Sequence, residues 1–123
     1  MARRPIIEDG QVRYGGIACG FVIEVDGKKV YHSGDTGLTM EMKLLEAEKI
    51  DVACLPIGGY FTMDIDDAAR AVDFIHPIKA VPMHYDTFPK IQADPEAFAM
   101  AVAEADLLGT EIVILSPGQM LEF

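Results

Sequence analysis

Basic residues are scarce in this chain of 123 residues. Lys and Arg number 10 against 20 Asp and Glu, so the formal net charge is −10 at pH 7. Proteins that bind nucleic acids need a basic surface to neutralise phosphates. The charge balance therefore argues against a nucleic-acid partner. It also disfavours an anionic ligand unless a bound cation offsets the negative charge.

Long apolar segments and cysteines are also scarce. No apolar run approaches the roughly 20 residues that a membrane-spanning helix needs, so we expect no membrane partner. Arg3 and Arg4 are not followed by the apolar stretch of a signal peptide. The two cysteines, Cys19 and Cys54, lie far apart among apolar residues, a usage typical of reduced, buried thiols. These features predict a cytoplasmic protein with neither a disulfide framework nor a zinc knuckle.

Repeats, low-complexity tracts and interdomain linkers are absent, and the length predicts a single domain over residues 1–123. Turn signals at 8–10 and 15–16 indicate that residues 1–16 form a loose lead-in. Beyond it, β-forming runs at 17–25 and 28–32 flank Asp26 and Gly27. This pattern is the strongest short-range signal for a β-hairpin, and it predicts a type I′ turn.

Helical and extended patterns then alternate to the end of the chain. The predicted helices cover 38–49, 64–75 and 94–108, and the predicted strands cover 50–57, 79–83, 111–115 and 120–123. Such alternation predicts an α/β fold with at least three parallel strands. A parallel sheet is usually covered on both faces, but this chain has helices for only one. We therefore expect one sheet with helices on one face.

Polar residues follow three of the predicted strands, in segments 32–37, 56–63 and 82–89. Ligands of open α/β sheets bind at the carboxyl ends of strands, so these segments would form one site. Asp35 lies between Gly34 and Thr36-Gly37, where the backbone turns sharply. Its carboxylate has two interpretations. It forms an Asx-turn or caps the helix that starts near Thr39, or it is a metal-binding or general-base group.

His84 is the second candidate, because it follows a strand directly and precedes polar residues. A metal-ligating histidine normally donates its other ring N–H to an acceptor, and Asp86 or a backbone carbonyl can serve. His32 can reach the site only from the end of its strand. His76, at a helix end before a proline, is interpreted as structural or solvated.

Several motifs together resemble one family, over nearly the whole chain from about Glu8 onward. They are Tyr-His-Ser-Gly-Asp-Thr-Gly at 31–37, Leu-Pro-Ile-Gly at 55–58, Phe-Thr-Met at 61–63 and Pro-Met-His-Tyr at 82–85. The combination is similar to the metallo-β-lactamase superfamily. Within it, the motifs resemble a branch of small metal-dependent hydrolases related to the ascorbate-6-phosphate lactonase group.

The resemblance implies an αββα sandwich with a metal site fed from both halves of the fold. Asp35 matches the aspartate that bridges two metals, and His84 matches the last histidine ligand. Zinc is the metal we expect first, with manganese, nickel or iron as alternatives. The nucleophile would be a water whose pKa the metal lowers. The substrate would be a small molecule containing an ester, lactone, amide or phosphoester, and Thr36, Tyr60 and Tyr85 are candidates to line its cleft.

The chain departs from the family in one respect, because it lacks the His-x-His-x-Asp-His signature. Its three histidines are His32, His76 and His84, and none has that spacing. The resemblance therefore covers only the C-terminal half of the fold. A zinc site wants three or four protein ligands, so we expect the chain by itself to bind metal poorly.

The missing half has several possible sources: a separate polypeptide, a cleaved fragment or a second copy of this chain. We expect a homo-oligomer or another partner interface of about 1,600 Å² in total, built around Ile17, Phe21 and Ile23. An alternative function is a truncated, metal-free half-fold that acts as an oligomerising or binding module. A further alternative is an α/β binding module with a small-ligand pocket at Gly58 and Gly59.

Overall fold

A five-stranded sheet forms the centre of the computed structural model, which describes residues 3–8, 10–17, 19–105 and 109–123. In chain order the strands are β1 (Arg3–Glu8), β2 (Gln11–Ile17), β3 (Phe21–Val25), β4 (Lys28–His32), β5 (Val52–Pro56), β6 (Lys79–Met83) and β7 (Glu111–Ile112). The helices are α1 (Ile65–Ile75) and α2 (Pro95–Glu104), with 3₁₀ helices at Met40–Glu48 and Pro89–Ile91.

The central sheet has the strand order β3-β4-β5-β6-β7. The β3–β4 pair is antiparallel, whereas the β4–β5, β5–β6 and β6–β7 pairs are parallel. The prediction of at least three parallel strands is therefore confirmed. The β3–β4 turn is the predicted type I′ turn, since Asp26 (φ 52°) and Gly27 (φ 79°) both have left-handed backbones.

The hydrophobic core lies on one face of this sheet. Tyr31, Ala53 and Ala80 form a buried row across β4, β5 and β6, and they belong to one core cluster with Val72 of α1 and Phe98 of α2. Successive residues of a strand point to opposite faces of the sheet, so the residues before and after Tyr31, Ala53 and Ala80 face away from the helices. There the sheet is more open, and Phe21, Ile23 and Val25 of β3 are 61%, 53% and 62% exposed. The helices thus cover one face, as predicted.

Helix α1, between β5 and β6, begins and ends at residues that stabilise its two termini. The Asp64 side chain accepts a hydrogen bond from the Asp67 N–H at 2.9 Å and caps the helix. The acidic residues of the first turn stabilise the positive end of the helix dipole. The helix ends at His76, whose ring lies near the carboxylates of Glu46 and Asp73, at 3.4 and 3.8 Å. This placement agrees with a structural role for His76.

The prediction that residues 1–16 form a loose lead-in is wrong. Within this segment β1 and β2 form an antiparallel hairpin. Sequence reasoning gave weight to the turn signals and too little to the β-forming residues on either side of them. The single strand predicted over 17–25 is also divided, because β2 ends at Ile17 and β3 begins at Phe21. The side chain of Ile17 and residues 106–108 of the predicted third helix lie outside the described part of the chain.

Two further elements differ from prediction. The helix expected over 38–49 is the 3₁₀ helix Met40–Glu48, in which Met42 alone is buried, so little packing favours a regular α-helix. The last predicted strand, 120–123, does not form, and β7 stops at Ile112. A turn follows instead, with the Gln119 N–H donating to the Ser116 carbonyl and the Gln119 side-chain oxygen accepting from the Ser116 N–H.

Both cysteines are free, as predicted, but Cys19 is exposed rather than buried. Cys54 is half-buried in β5, and burial raises the pKa of its thiol. Within the described ranges, no helix combines the length and apolar character that a membrane crossing requires.

The Asp64 cap can be tested by Asp64→Ala. We expect the variant to lose about 0.5–2 kcal/mol of the free energy of unfolding, since an orphan N–H of α1 loses its acceptor. Asp64→Asn is the matched control and should retain most of the stability. Urea unfolding followed by circular dichroism measures both, and equal losses in the two variants would contradict the capping role.

Candidate metal centre

The three polar segments at the strand ends are joined to one another by backbone hydrogen bonds. The Ser33 N–H donates to the Cys54 carbonyl at 3.2 Å, and the Ile57 N–H donates to the Met83 carbonyl at 3.1 Å. The Met63 N–H donates to the Thr36 carbonyl at 3.0 Å. The segments after β4, β5 and β6 therefore meet at one edge of the sheet, as the sequence predicted.

Asp35 is positioned by the turn that follows β4. Gly34 adopts a left-handed backbone (φ 67°), and its N–H donates to Nδ1 of His32 at 3.2 Å. A Cβ atom at Gly34 would lie 3.1 Å from the Cys19 carbonyl oxygen, so glycine suits both the conformation and the close approach. Thr39, not Asp35, holds the N-cap position of the following 3₁₀ helix. Asp35 therefore does not occupy the N-cap, and its interpretation as an Asx-turn stays a prediction.

His84 lies directly after β6 and faces Asp35. Its Nε2 atom is 3.6 Å from Oδ1 of Asp35, and the two side chains are 29% and 34% exposed. The predicted convergence of these residues is thus present in the structure. His84 itself has a left-handed backbone (φ 56°), an uncommon conformation for a residue with a side chain.

The other ring nitrogen of His84, Nδ1, lacks among the described residues the hydrogen bond to Asp86 or a backbone carbonyl that the sequence predicted. Nδ1 is buried, and no group in the described part of the chain hydrogen-bonds to it. Asp86, the predicted acceptor, instead receives a hydrogen bond from the Ala93 N–H at 3.0 Å. Buried polar atoms are nearly always paired, so Nδ1 is a site where a further group is expected.

Gly58 allows the loop after β5 to pack against the His84 segment. A Cβ atom there would clash with the carbonyl oxygen of His84 and would lie 2.8 Å from Cβ of Ile91. The space beside Gly58 is thus filled by the His84 segment, and neither Gly58 nor Gly59 lines the cavity next to Asp35. Gly58 allows the loop after β5 to lie close to the segment that contains His84.

The Asp35–His84 pair fits one side of a metal centre. With bond lengths of about 2.0–2.2 Å to a tetrahedral zinc, two donor atoms lie about 3.3–3.6 Å apart. The observed separation of 3.6 Å is at the upper end of that range. Among residues 19–105 and 109–123, however, no group of three or more His, Cys, Asp or Glu side chains is arranged to hold an ion. The described residues therefore provide part of a site but not a complete one.

A cavity of about 380 Å³ adjoins Asp35. Its walls include Tyr31, Thr36, Glu41 and Phe61. Burial and the Glu41 carboxylate raise the pKa of the Tyr31 phenol, so this group remains neutral at pH 7. Thr36 was a predicted lining residue, but Tyr60 and Tyr85 do not line this cavity. Phe61 lies in the predicted segment 56–63, whereas Cys19 and Glu41 were missed, because only the folded backbone brings them to the site.

Comparison with known proteins gives a consistent result. A family profile described as "Beta-lactamase superfamily domain" matches residues 4–84. A metal-dependent hydrolase of Alkaliphilus metalliredigens is 60% identical over 101 residues, which is 80% of this chain and 45% of that protein. One from Methanopyrus kandleri is 50% identical over 118 residues, covering 95% of this chain and 51% of that protein.

The structural comparison agrees with these matches. A metallo hydrolase of the hyperthermophilic archaeon Ignicoccus hospitalis is similar with a TM-score of 0.77 and 41% identity. The similarity covers 99% of this chain and 52% of that one. The chain thus spans about half the length of the curated relatives it matches.

Gly58→Ala tests how the site is held together. Because its added methyl group overlaps the His84 carbonyl, we expect a loss of about 1–3 kcal/mol in the free energy of unfolding. Gly37→Ala is the control, since a Cβ atom there meets nothing within 4 Å. Chemical denaturation measures both variants. Equal stability of Gly58→Ala and the unmodified protein would show that the close contact is not required.

Proposed function

The chain belongs to the beta-lactamase superfamily, and from this membership we propose that it forms the C-terminal part of a metal-dependent hydrolase. The observation that supports the proposal is the 3.6 Å approach of His84 Nε2 to Asp35 Oδ1 at the edge of the parallel sheet. Relatives at 50–60% identity are themselves named metal-dependent hydrolases.

In this proposal Asp35 and His84 hold a divalent cation, with zinc as the first candidate because imidazole and carboxylate both suit it. Such a cation lowers the pKa of a water, which becomes a nucleophile at neutral pH. Asp35 supplies the negative charge that attracts the cation, and the fixed ends of β4 and β6 keep both side chains in place. The substrate is a small ester, lactone, amide or phosphoester.

In this proposal the remaining metal ligands come from a partner polypeptide. The described residues bring two ligands together, and zinc normally takes three or four. The open face of the sheet, with Phe21, Ile23 and Val25 exposed, offers a surface for the polypeptide that supplies them. Either a separate N-terminal half or a second copy of the chain fits this role.

A second candidate function is a metal-free module that assembles through the open sheet face. The incomplete ligand set favours it. In that case Asp35 and His84 are structural residues, and the surface of β3 carries the function. Metal content separates the two candidates, because only the hydrolase requires stoichiometric metal in the assembled protein.

Asp35→Asn tests the metal-binding role. We expect the assembled protein to lose most of its bound metal, since the variant keeps the size of the side chain but removes its charge. The melting temperature of the metal-free form should change little. Plasma mass spectrometry after zinc loading and dialysis measures the first, and differential scanning fluorimetry measures the second.

Asp86→Asn is the matched control for Asp35→Asn. It removes the same charge from the same edge, and the new side-chain oxygen can still accept from the Ala93 N–H. We expect its metal content to equal that of the unmodified protein. Full metal occupancy in Asp35→Asn, combined with early melting of the metal-free form, would instead indicate a structural carboxylate.

The open sheet face predicts that the chain does not remain a monomer. Light scattering at micromolar concentration should give at least twice the chain mass of 13.4 kDa. Ile23→Lys should reduce that mass, because it places a charge in the interface. Met100→Lys, on the exposed surface of α2, should not. A monomer at this concentration would rule out self-assembly through β3.

A further inference from the structure

Three neighbouring aromatic side chains are exposed on the loops that follow β5 and β6. Tyr60, Phe61 and Phe88 are 66%, 62% and 41% exposed, and we refer to them as the aromatic cluster. The Tyr60 and Phe61 rings meet nearly at right angles, with centroids 4.3 Å apart. The Phe61 and Phe88 centroids are 6.1 Å apart, and their planes differ by 55°. Single exposed apolar residues are ordinary, but three rings in contact form a patch.

The aromatic cluster is attached to the same two loops that build the metal centre. Phe61 lies in the loop after β5, which is bonded to the Thr36 carbonyl through the Met63 N–H. It also lines the cavity that contains Asp35. Phe88 follows His84 by four residues, in a segment closed by the bond from the Asp86 N–H to the Ile91 carbonyl at 2.9 Å. The cluster is therefore continuous with the site.

Lys90 contacts Tyr60 at one side of the aromatic cluster. Its ammonium lies 4.6 Å from the centre of the Tyr60 ring and donates to the Tyr60 hydroxyl at 3.1 Å. Cation–π attraction and this hydrogen bond together fix the Tyr60 ring. The Phe61 ring rests against the Tyr60 ring and is tilted toward Phe88. The two phenylalanines thus belong to one exposed apolar surface, and Phe61 also borders the cavity.

We propose that the aromatic cluster is a substrate subsite that binds a flat apolar group, such as an aryl ring, of the molecule that is hydrolysed. The proposal rests on the hydrolase function proposed above. A flat ring laid against the exposed surfaces of Phe61 and Phe88 makes stacked or edge contacts with them, the geometry that aromatic pairs prefer. The bond to be cleaved then extends toward Asp35 and His84.

A small ligand fits the cluster better than a protein partner does. A protein interface of standard size buries about 800 Å² on each side. Three rings provide much less than that, and they belong to the loops at the strand ends, whereas the apolar side chains of β3 belong to the sheet face. The cavity of about 380 Å³ beside Phe61 has the size of a small-molecule site.

Binding of a stable ketone tests the subsite without any turnover. Phenylacetone carries an aryl ring and a carbonyl but no hydrolysable bond, and cyclohexylacetone is its saturated counterpart. Titrations of the metal-free protein, followed by NMR, should show tighter binding of phenylacetone. Phe61→Leu and Phe88→Leu keep apolar bulk but lose the ring, and each should weaken phenylacetone binding by about two- to tenfold. Phe123→Leu, an exposed phenylalanine at the chain end, should leave binding unchanged.

The outcomes separate this proposal from the proposed hydrolase. Absence of metal from the unmodified assembled protein would overturn the hydrolase, whereas the ketone titrations use metal-free protein and test the subsite independently. Equal binding of the two ketones would overturn the subsite, and so would unchanged phenylacetone binding in Phe61→Leu and Phe88→Leu. A lower scattering mass in those variants with unaltered ketone affinity would also overturn it, by assigning the rings to a protein interface.

Discussion

The parallel pairing of β4, β5 and β6 is the constraint on which the rest of the structure depends. Parallel neighbours end at the same edge of a sheet, so each of the loops that follow them starts from a fixed point on that edge. The bonds from Ser33 to Cys54 and from Ile57 to Met83 extend this pairing beyond the strands. Asp35 and His84 are 49 residues apart in the sequence, yet their side chains meet because their strands both lie next to β5.

Much of this arrangement could be predicted because its signals are local. Asp26-Gly27 specifies a turn, Asp64 specifies a helix start, and Gly34-Asp35-Thr36 marks a sharp bend after a strand. The features that escaped prediction are those decided by distant contacts. The partner of Asp86 is the Ala93 N–H rather than His84, and the site that Cys19 borders is built by residues far along the chain. The β1–β2 hairpin was missed for a different reason, since its turn signals were interpreted as a loop.

The candidate metal centre and the exposed side chains of β3 pose the same physical question. The apolar side chains of β3 lack cover, and the described residues offer only two neighbouring metal donors, so in the proposed function one polypeptide supplies both needs. The relatives, about twice as long as this chain, show that the fold is found with more polypeptide than these residues contain. The aromatic cluster needs no further polypeptide, because its three rings and the Lys90 side chain that contacts Tyr60 all belong to this chain.

The edge position of β3 has a consequence for how the protein behaves in concentrated solution. A strand at the end of a sheet presents unpaired backbone groups, and proteins usually protect such edges with charges, prolines or bulges. In Phe21–Val25 only Glu24 is charged, and the other four residues are β-forming and at least 41% exposed. Short segments of this composition are prone to edge-to-edge aggregation. A polypeptide that pairs with β3 or covers its apolar side chains would therefore also limit this aggregation.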